Sequence, residues 1–505
     1  MRDRKCAVAS CRWLAAFVSI WVSCTALAQT SAPAAPQRPK VMAPHRPIAP
    51  TITKPKSLAA GTPTLRSVVG GPWMTDANFK SSIYLKNAVA TDPITVTPIL
   101  YLSNGTKYTL PNVTLEPSGT AIVDINAGLE QQGIASYATL SGYVELQYAW
   151  PWDPICAFIR DVDVAHSLIF TYGLQPATPT TQSQNSSATQ TAEGIWWMRE
   201  SNVTGFVALT NTSSQQVTAN VQVSDSRNAL LGNHPVTVSP NGTKIVNLSE
   251  LQSVPGSAGG IHITYNAPQD SLLINGGLED QSDGYSATLR FVAAPPVSAK
   301  SAQMSFGELG LMVGAADPMM AFPAGTTFTP YSILRNVSDS PISVTPTLWW
   351  MEGGAARSSQ LSKINLAPNQ TQSLDVMSLI SAAGLISAIK AFNGSVNLIL
   401  DTQGKEGGLV LAAGSVDQSN TYVFEVAPRP IMESASKSIS YWSTGNGDDT
   451  MVTLWNPADE AQDLIFQVIF SGGHYGLPIH LGPRETRTLN LSQVIQSQVP
   501  DAEDN

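Results

Sequence analysis

The sequence predicts an all-β protein made of tandem immunoglobulin-like antiparallel β-sandwich modules, the last one incomplete. Three observations lead there. The chain repeats itself with a period of about 120 residues. The segments between the repeat anchors alternate apolar and polar residues with a period of two. Gly, Pro, Ser, Thr and Asn punctuate the chain along its length, as turns between short strands require.

The repeat is carried by four anchors. Leu-x-Asn occurs as Leu85-Lys86-Asn87, Leu209-Thr210-Asn211, Leu334-Arg335-Asn336 and Leu454-Trp455-Asn456, so the asparagines are 124, 125 and 120 residues apart. Fourteen residues before them stand Trp73, Trp197, Phe322 and Trp442. A proline turn follows each asparagine at Pro117, Pro240, Pro368 and Pro483, and seven residues beyond each proline lies a triplet centred on Asp124, Asn247, Asp375 or Asn490. The asparagines suit turns, where the side chain bonds nearby backbone, and the aromatics suit core slots. These eight residues, Trp73, Trp197, Phe322, Trp442, Asn87, Asn211, Asn336 and Asn456, are therefore expected to be structural.

Between anchors, Ile94-Thr95-Val96-Thr97, Ile342-Ser343-Val344-Thr345 and Gly142 to Tyr148 alternate cleanly, the pattern of sheets covered on one face. The stretch after each triplet, such as Met377 to Gly384, reads as one or two helical turns. The modules fall at 67–174, 193–294 and 317–428, with a partial fourth at 429–505. Residues 175–192 and 295–316 read as linkers. The rhythm resembles bacterial CARDB-type and related immunoglobulin-like modules of exported proteins. That resemblance spans residues 70–505 loosely and implies binding or spacing, with no shared catalytic residues.

The amino terminus has the composition of an export signal. Arg2, Arg4, Lys5 and Arg12 precede an apolar run from Leu14 to Val22, and Ala26-Leu27-Ala28 offers a cleavage site after Ala28. The expected compartment is the periplasm, the cell surface or the medium, with no transmembrane segment after cleavage. Residues 29–66 form a basic arm with Pro33, Pro36, Pro39, Pro44, Pro47, Pro50 and Pro55, extended by composition. After cleavage only Cys156 remains of four cysteines, so no internal disulfide is expected, and its apolar neighbours predict a buried thiol.

The net charge of −9 argues against a nucleic-acid partner. Six scattered histidines and no His-Glu-x-x-His exclude the usual zinc patterns, and neither Gly-x-Ser-x-Gly nor a phosphate-binding loop occurs. The acids Asp161 and Asp163, Glu279, Asp280 and Asp283, and Asp448 and Asp449 read as solvated turn residues. The loop from Gly445 to Asp449 lacks EF-hand spacing. No catalytic residue, metal or cofactor is assigned. Trp349, Trp350, Trp150 and Trp152 are the candidate ligand-binding residues, since exposed rings suit sugars and protein partners. The expected role is a non-catalytic binding or spacer protein that meets an envelope glycan or protein partner. Two alternatives are the non-catalytic amino-terminal region of a larger secreted hydrolase and a periplasmic strand-exchanging assembly factor.

Overall fold

The computed structural model describes residues 14–21, 63–135, 137–177, 189–198, 202–254, 257–267, 271–282, 284–296, 298–315, 322, 325–385, 394–417, 423–431, 442, 444, 448–470 and 473–497. The first strand, β1 (Leu14–Trp21), pairs with the fourth module. The other residues of the expected signal, and the arm up to residue 62, lie outside the described residues.

Module 1 contains β2 (Thr64–Thr75), β3 (Phe79–Asn87), β4 (Ile94–Leu102), β5 (Lys107–Thr109), β6 (Val113–Leu115), β7 (Thr120–Asp124), α1 (Ile125–Gln131), β8 (Leu140–Trp150), β9 (Ile155–Asp163), β10 (Leu168–Gly173) and β11 (Gln175–Pro176). Its front sheet has the order β11-β2-β8-β4-β5, with β6 also on β4, and its back sheet the order β10-β9-β3-β7.

Module 2 repeats the plan with β12 (Gln190–Trp197), β13 (Thr204–Asn211), β14 (Val217–Ser224), β15 (Leu230–Val238), β16 (Thr243–Asn247), β17 (Ala258–Tyr265), β18 (Leu272–Asp280), β19 (Tyr285–Leu289) and β20 (Phe291–Ala293). Its front sheet is β15-β14-β17-β12-β20 and its back sheet β16-β13-β18-β19.

Module 3 contains β21 (Ser301–Ala315), β22 (Thr327–Asn336), β23 (Ile342–Glu352), β24 (Ala355–Gln360), β25 (Ile364–Leu366), β26 (Thr371–Asp375), α2 (Val376–Ala382), β27 (Gly394–Lys405), β28 (Leu409–Asp417), β29 (Val423–Val426) and β30 (Arg429–Pro430). Here β24-β23-β27-β21 is the front and β26-β22-β28-β29 the back, and the end of β21 also pairs with β22. Residues 295–316 are therefore not a linker throughout. Ser301–Ala315 is the long first strand of this module, and its backbone is bonded to β27.

Module 4 contains β31 (Asp448–Trp455), β32 (Gln462–Phe470), β33 (Gly473–Leu481), β34 (Thr486–Asn490) and α3 (Leu491–Gln496). Counterparts of β27, β28 and β29 do not occur among its described residues. On the flank of β31 where β9, β18 and β28 run antiparallel in the other modules, β1 runs parallel.

The recurring asparagine explains why two distant anchors repeat together. In module 3 the Asn336 amide nitrogen donates to the Ser340 carbonyl at 2.8 Å, and to those of Leu366 and Ala367 at 3.2 and 3.0 Å. Its oxygen accepts from the Ser338 N–H at 2.9 Å. Asn87, Asn211 and Asn456 make the same bonds to their own turns. All four are buried, so each side chain supplies partners that buried backbone would otherwise lack. The residue after each repeat proline has a left-handed backbone, with φ of 54° at Ser118, 52° at Asn241, 59° at Asn369 and 56° at Arg484. The polar centre of the triplet caps the following helix in three modules. Asp124, Asp375 and Asn490 accept from the N–H groups of Ala127, Ser378 and Gln493 at 2.9–3.0 Å.

The aromatic anchor is less regular. Trp73 fills the module 1 core opposite Gly142 and donates to the Tyr143 carbonyl. In module 2 that place, opposite Gly259, belongs to Trp196, one residue before Trp197. In module 3 it belongs to Val313, opposite Gly394. Phe322 packs elsewhere, edge-on to Phe328 and Phe424. Trp442 donates to the Ile469 carbonyl at 3.0 Å and packs on the module 4 core.

Candidate functional surfaces

The modules stack. The outer face of each front sheet lies on the outer face of the next back sheet, and this happens three times. Between modules 1 and 2, Val69, Tyr143 and Tyr101 meet Leu273, and Asn275 donates to the Gly71 carbonyl. Between modules 2 and 3, one apolar cluster runs from Val207, Val221 and Ile263 through to Ile333, Val337 and Val410. Between modules 3 and 4, Leu309 and Ile399 meet Trp455, while Asn397 donates to the Thr486 hydroxyl at 2.6 Å. The x residue of Leu-x-Asn is thus an interface residue: Thr210, Arg335 and Trp455 are all buried.

A buried charge marks the middle contact. The Arg335 Nη2 donates to Glu193 Oε2 at 3.3 Å, and its Nη1 to the Asn369 carbonyl and Thr371 hydroxyl at 3.1 and 3.2 Å. The guanidinium fits because residue 260 is glycine; a Cβ there would coincide with it. Burial lowers the Arg335 pKa, and Glu193 opposes that shift. The other Glu193 oxygen bonds His262 Nδ1 at 2.5 Å. His262 thus joins this contact through Glu193. The edge strands β10, β19 and β29 of the back sheets also line up: Ser286 on β19 bonds both backbone groups of Ile169 on β10, and the Thr288 N–H on β19 donates to Glu425 on β29.

This stacking decides where the candidate tryptophans lie. Trp350 is buried in the module 3 core. Trp349 faces outward, but module 4 covers it, with the Arg484 guanidinium carbon 5.5 Å from its ring centre. Trp150 is partly buried on the module 1 core. Trp152 is the exposed ring, at 42%. Its loop is held by Arg66, which donates to the Trp150 and Pro151 carbonyls at 2.9 and 2.6 Å and pairs with Asp153 at 3.2 Å. Tyr148 also donates to Asp153, at 3.1 Å. The four candidates do not converge on one site.

Several acids are not solvated turn residues. Asp161 and Asp163 lie buried in β9; Asp280 and Asp449 are buried too. A Ser hydroxyl or a turn N–H satisfies each one inside: Ser81 on Asp161, Ala165 on Asp163, Ser282 on Asp280 and Ser492 on Asp449. Asp283 and residues 445–447 lie outside the described residues. Burial pushes the Asp161 carboxyl well up against the Ser81 bond, and lifts Glu308 to about 8 against a bond from Ser332. Neither signal was visible in strand periodicity, which places a residue inside without naming its partner.

Cys156 is exposed at the start of β9, not buried. His166, His234, His262 and His480 are each bonded to a carboxylate. Among the described residues no three His, Cys, Asp or Glu side chains converge as a metal site, and no helix is long and apolar enough to cross a membrane. A cleft of about 450 Å³ opens beside modules 1 and 2, lined by Gln175, Tyr265, Asn275, Arg290 and Phe291 among others. Comparison with protein-family models and with curated proteins gives no match.

Proposed function

We propose that the chain is an exported, non-catalytic spacer of the cell envelope that presents binding surfaces at a fixed distance from its basic arm. The observation that carries this reading is the threefold front-to-back stacking. Tandem sandwiches joined only by linkers would bend at each junction, and covered faces remove that freedom. Eight sheet layers at about 10 Å each give a stack of roughly 80 Å. The partner is a glycan or envelope protein, and Trp152 on its Arg66-braced loop is the ring that would meet it.

The test is fractionation of an expressing bacterium, followed by capture of envelope components on the purified chain. Recovery from the periplasm or surface with an amino terminus at Gln29, and capture weakened by Trp152→Ala but not by Trp350→Phe, is expected. A cytoplasmic product that keeps residues 1–28 refutes the export reading. Undiminished capture by Trp152→Ala refutes the role of the ring.

A further inference from the structure

The cleft of about 450 Å³ at the junction of modules 1 and 2 is lined by described residues alone. Its volume is that of a small-molecule site, and such sites favour the junctions between domains. Strand register shows which side chains stand at it. Gln175 on β11 pairs with Val69 on β2, so the two share one face of the module 1 front sheet, the face on which Val69 meets Leu273 of module 2. Asn275 lies two residues after Leu273 on β18 and shares its face. Gln175 and Asn275 therefore stand on the two surfaces that confront each other at the cleft.

Both retain hydrogen-bonding capacity. The Gln175 side chain bonds no described residue. Asn275 donates through Nδ2 to the Gly71 carbonyl, and its oxygen accepts from no described residue. Beside them the lining is apolar. Phe291 on β20 packs on the module 2 core, with its ring over Gly194, where a Cβ would come within 2.6 Å of it. Arg290 is the one charged residue of the lining, and Glu425 is the acid that feels its charge.

A free carboxamide facing a free carboxamide oxygen calls for a ligand that both donates and accepts hydrogen bonds. A ring beside them calls for an apolar face on the same ligand. A sugar ring has both. With no carboxylate in the lining, a cation finds no counter-charge. A peptide added as a strand is disfavoured too, because the edge strands here, β11 and β20, are two and three residues long. We infer that this cleft binds a saccharide unit, with Gln175 and Asn275 on its hydroxyls and Phe291 against its apolar face. The inference deepens the glycan part of the proposed function and stands apart from export and from Trp152.

Isothermal titration of the purified chain with cellobiose, chitobiose and digalacturonate tests it. Saturable binding of at least one of them, at one site per chain, is expected. Gln175→Leu removes the amide and weakens that binding about two- to tenfold. Gln175→Trp fills the mouth and abolishes it. Gln175 is exposed on a two-residue edge strand, so both variants melt with the parent. Thr237→Val, an exposed change on the opposite edge of the module 2 front sheet, binds like the parent. No binding by any of the three saccharides overturns the inference, and so does binding that both Gln175 variants keep. Binding that falls in Trp152→Ala but not in the Gln175 variants overturns the cleft and leaves the envelope reading in place. Cleft binding by a chain recovered from the cytoplasm does the reverse.

Discussion

At the scale of single residues, the buried polar groups carry the sharpest consequences. Glu308 sits in the module 3 core with one oxygen bonded by Ser332 at 2.9 Å, and burial raises its pKa from 4.5 to about 8. The folded chain therefore holds this proton longer than the unfolded chain does. The stabilisation is fully present below pH 4.5 and is lost as pH rises, with the loss complete once pH passes about 8. A difference of that size corresponds to about 5 kcal/mol at most. Glu308→Gln removes the titration while keeping the shape. Its melting temperature should exceed that of the parent at alkaline pH and match it near pH 5, as read by calorimetry across that range. An unchanged difference between the two proteins at all pH values would show that Glu308 does not titrate in this window. Asp375 has the opposite sign: bonds from Ser378 hold its carboxyl below the usual range, so its contribution is present at neutral pH and fades in acid.

At the scale of elements, the close approach of strands across the sandwich fixes which glycines are irreplaceable. Gly259 on β17 lies between the Ser224 carbonyl and the Trp196 indole, and a Cβ would collide with both. Gly259→Ala should cost at least about 1–3 kcal/mol by overpacking, measured by denaturant unfolding. Gly384, whose φ is positive but whose side-chain space is open, should lose less for the same change. Gly142 opens an alternating segment in the sequence, but nothing there gives the reason for the glycine. The strands, the short helices and the turn role of the asparagines could be read because each is set by local pattern, whereas the helix caps and the asparagine bonds to the distant proline turn could not. The aromatic slot was misplaced in module 2 because Trp196 and Trp197 are adjacent, and the register opposite Gly259 chooses between them. In module 3 it was misplaced because β21 runs on past that slot toward β22, leaving Phe322 outside the strand. Trp349 and Trp350 are adjacent on β23, so one of them has to face outward, and it is Trp349. Alternation separates the two faces of a sheet, but it carries no sign that another module covers the outer one.

At the scale of the whole molecule, the apolar contact between modules 2 and 3 also buries one ion pair. Arg335 and Glu193 are both buried, so removing either leaves the other without its opposite charge, although Glu193 keeps its bond to His262 and Arg335 its bonds to Asn369 and Thr371, at a cost of up to about 3–5 kcal/mol. Arg335→Met combined with Glu193→Leu should recover much of the loss from Glu193→Leu alone, and a double-mutant cycle on thermal unfolding reads the coupling. Additive losses would mean that the pair does not hold the modules together. The three contacts share geometry but not chemistry. Tyr143 of module 1 stands in the strand position that Gly260 holds in module 2, and Val69 stands where Glu193 does. Excising module 2 as a cassette would therefore press the Arg335 guanidinium onto the Tyr143 ring, with Val69 where its Glu193 partner stood. Modules of this chain are not interchangeable parts: their sequence order is written into the surfaces by which neighbours recognise one another, so a shortened version made by joining 1 directly to 3 would need a new junction, not merely a new splice.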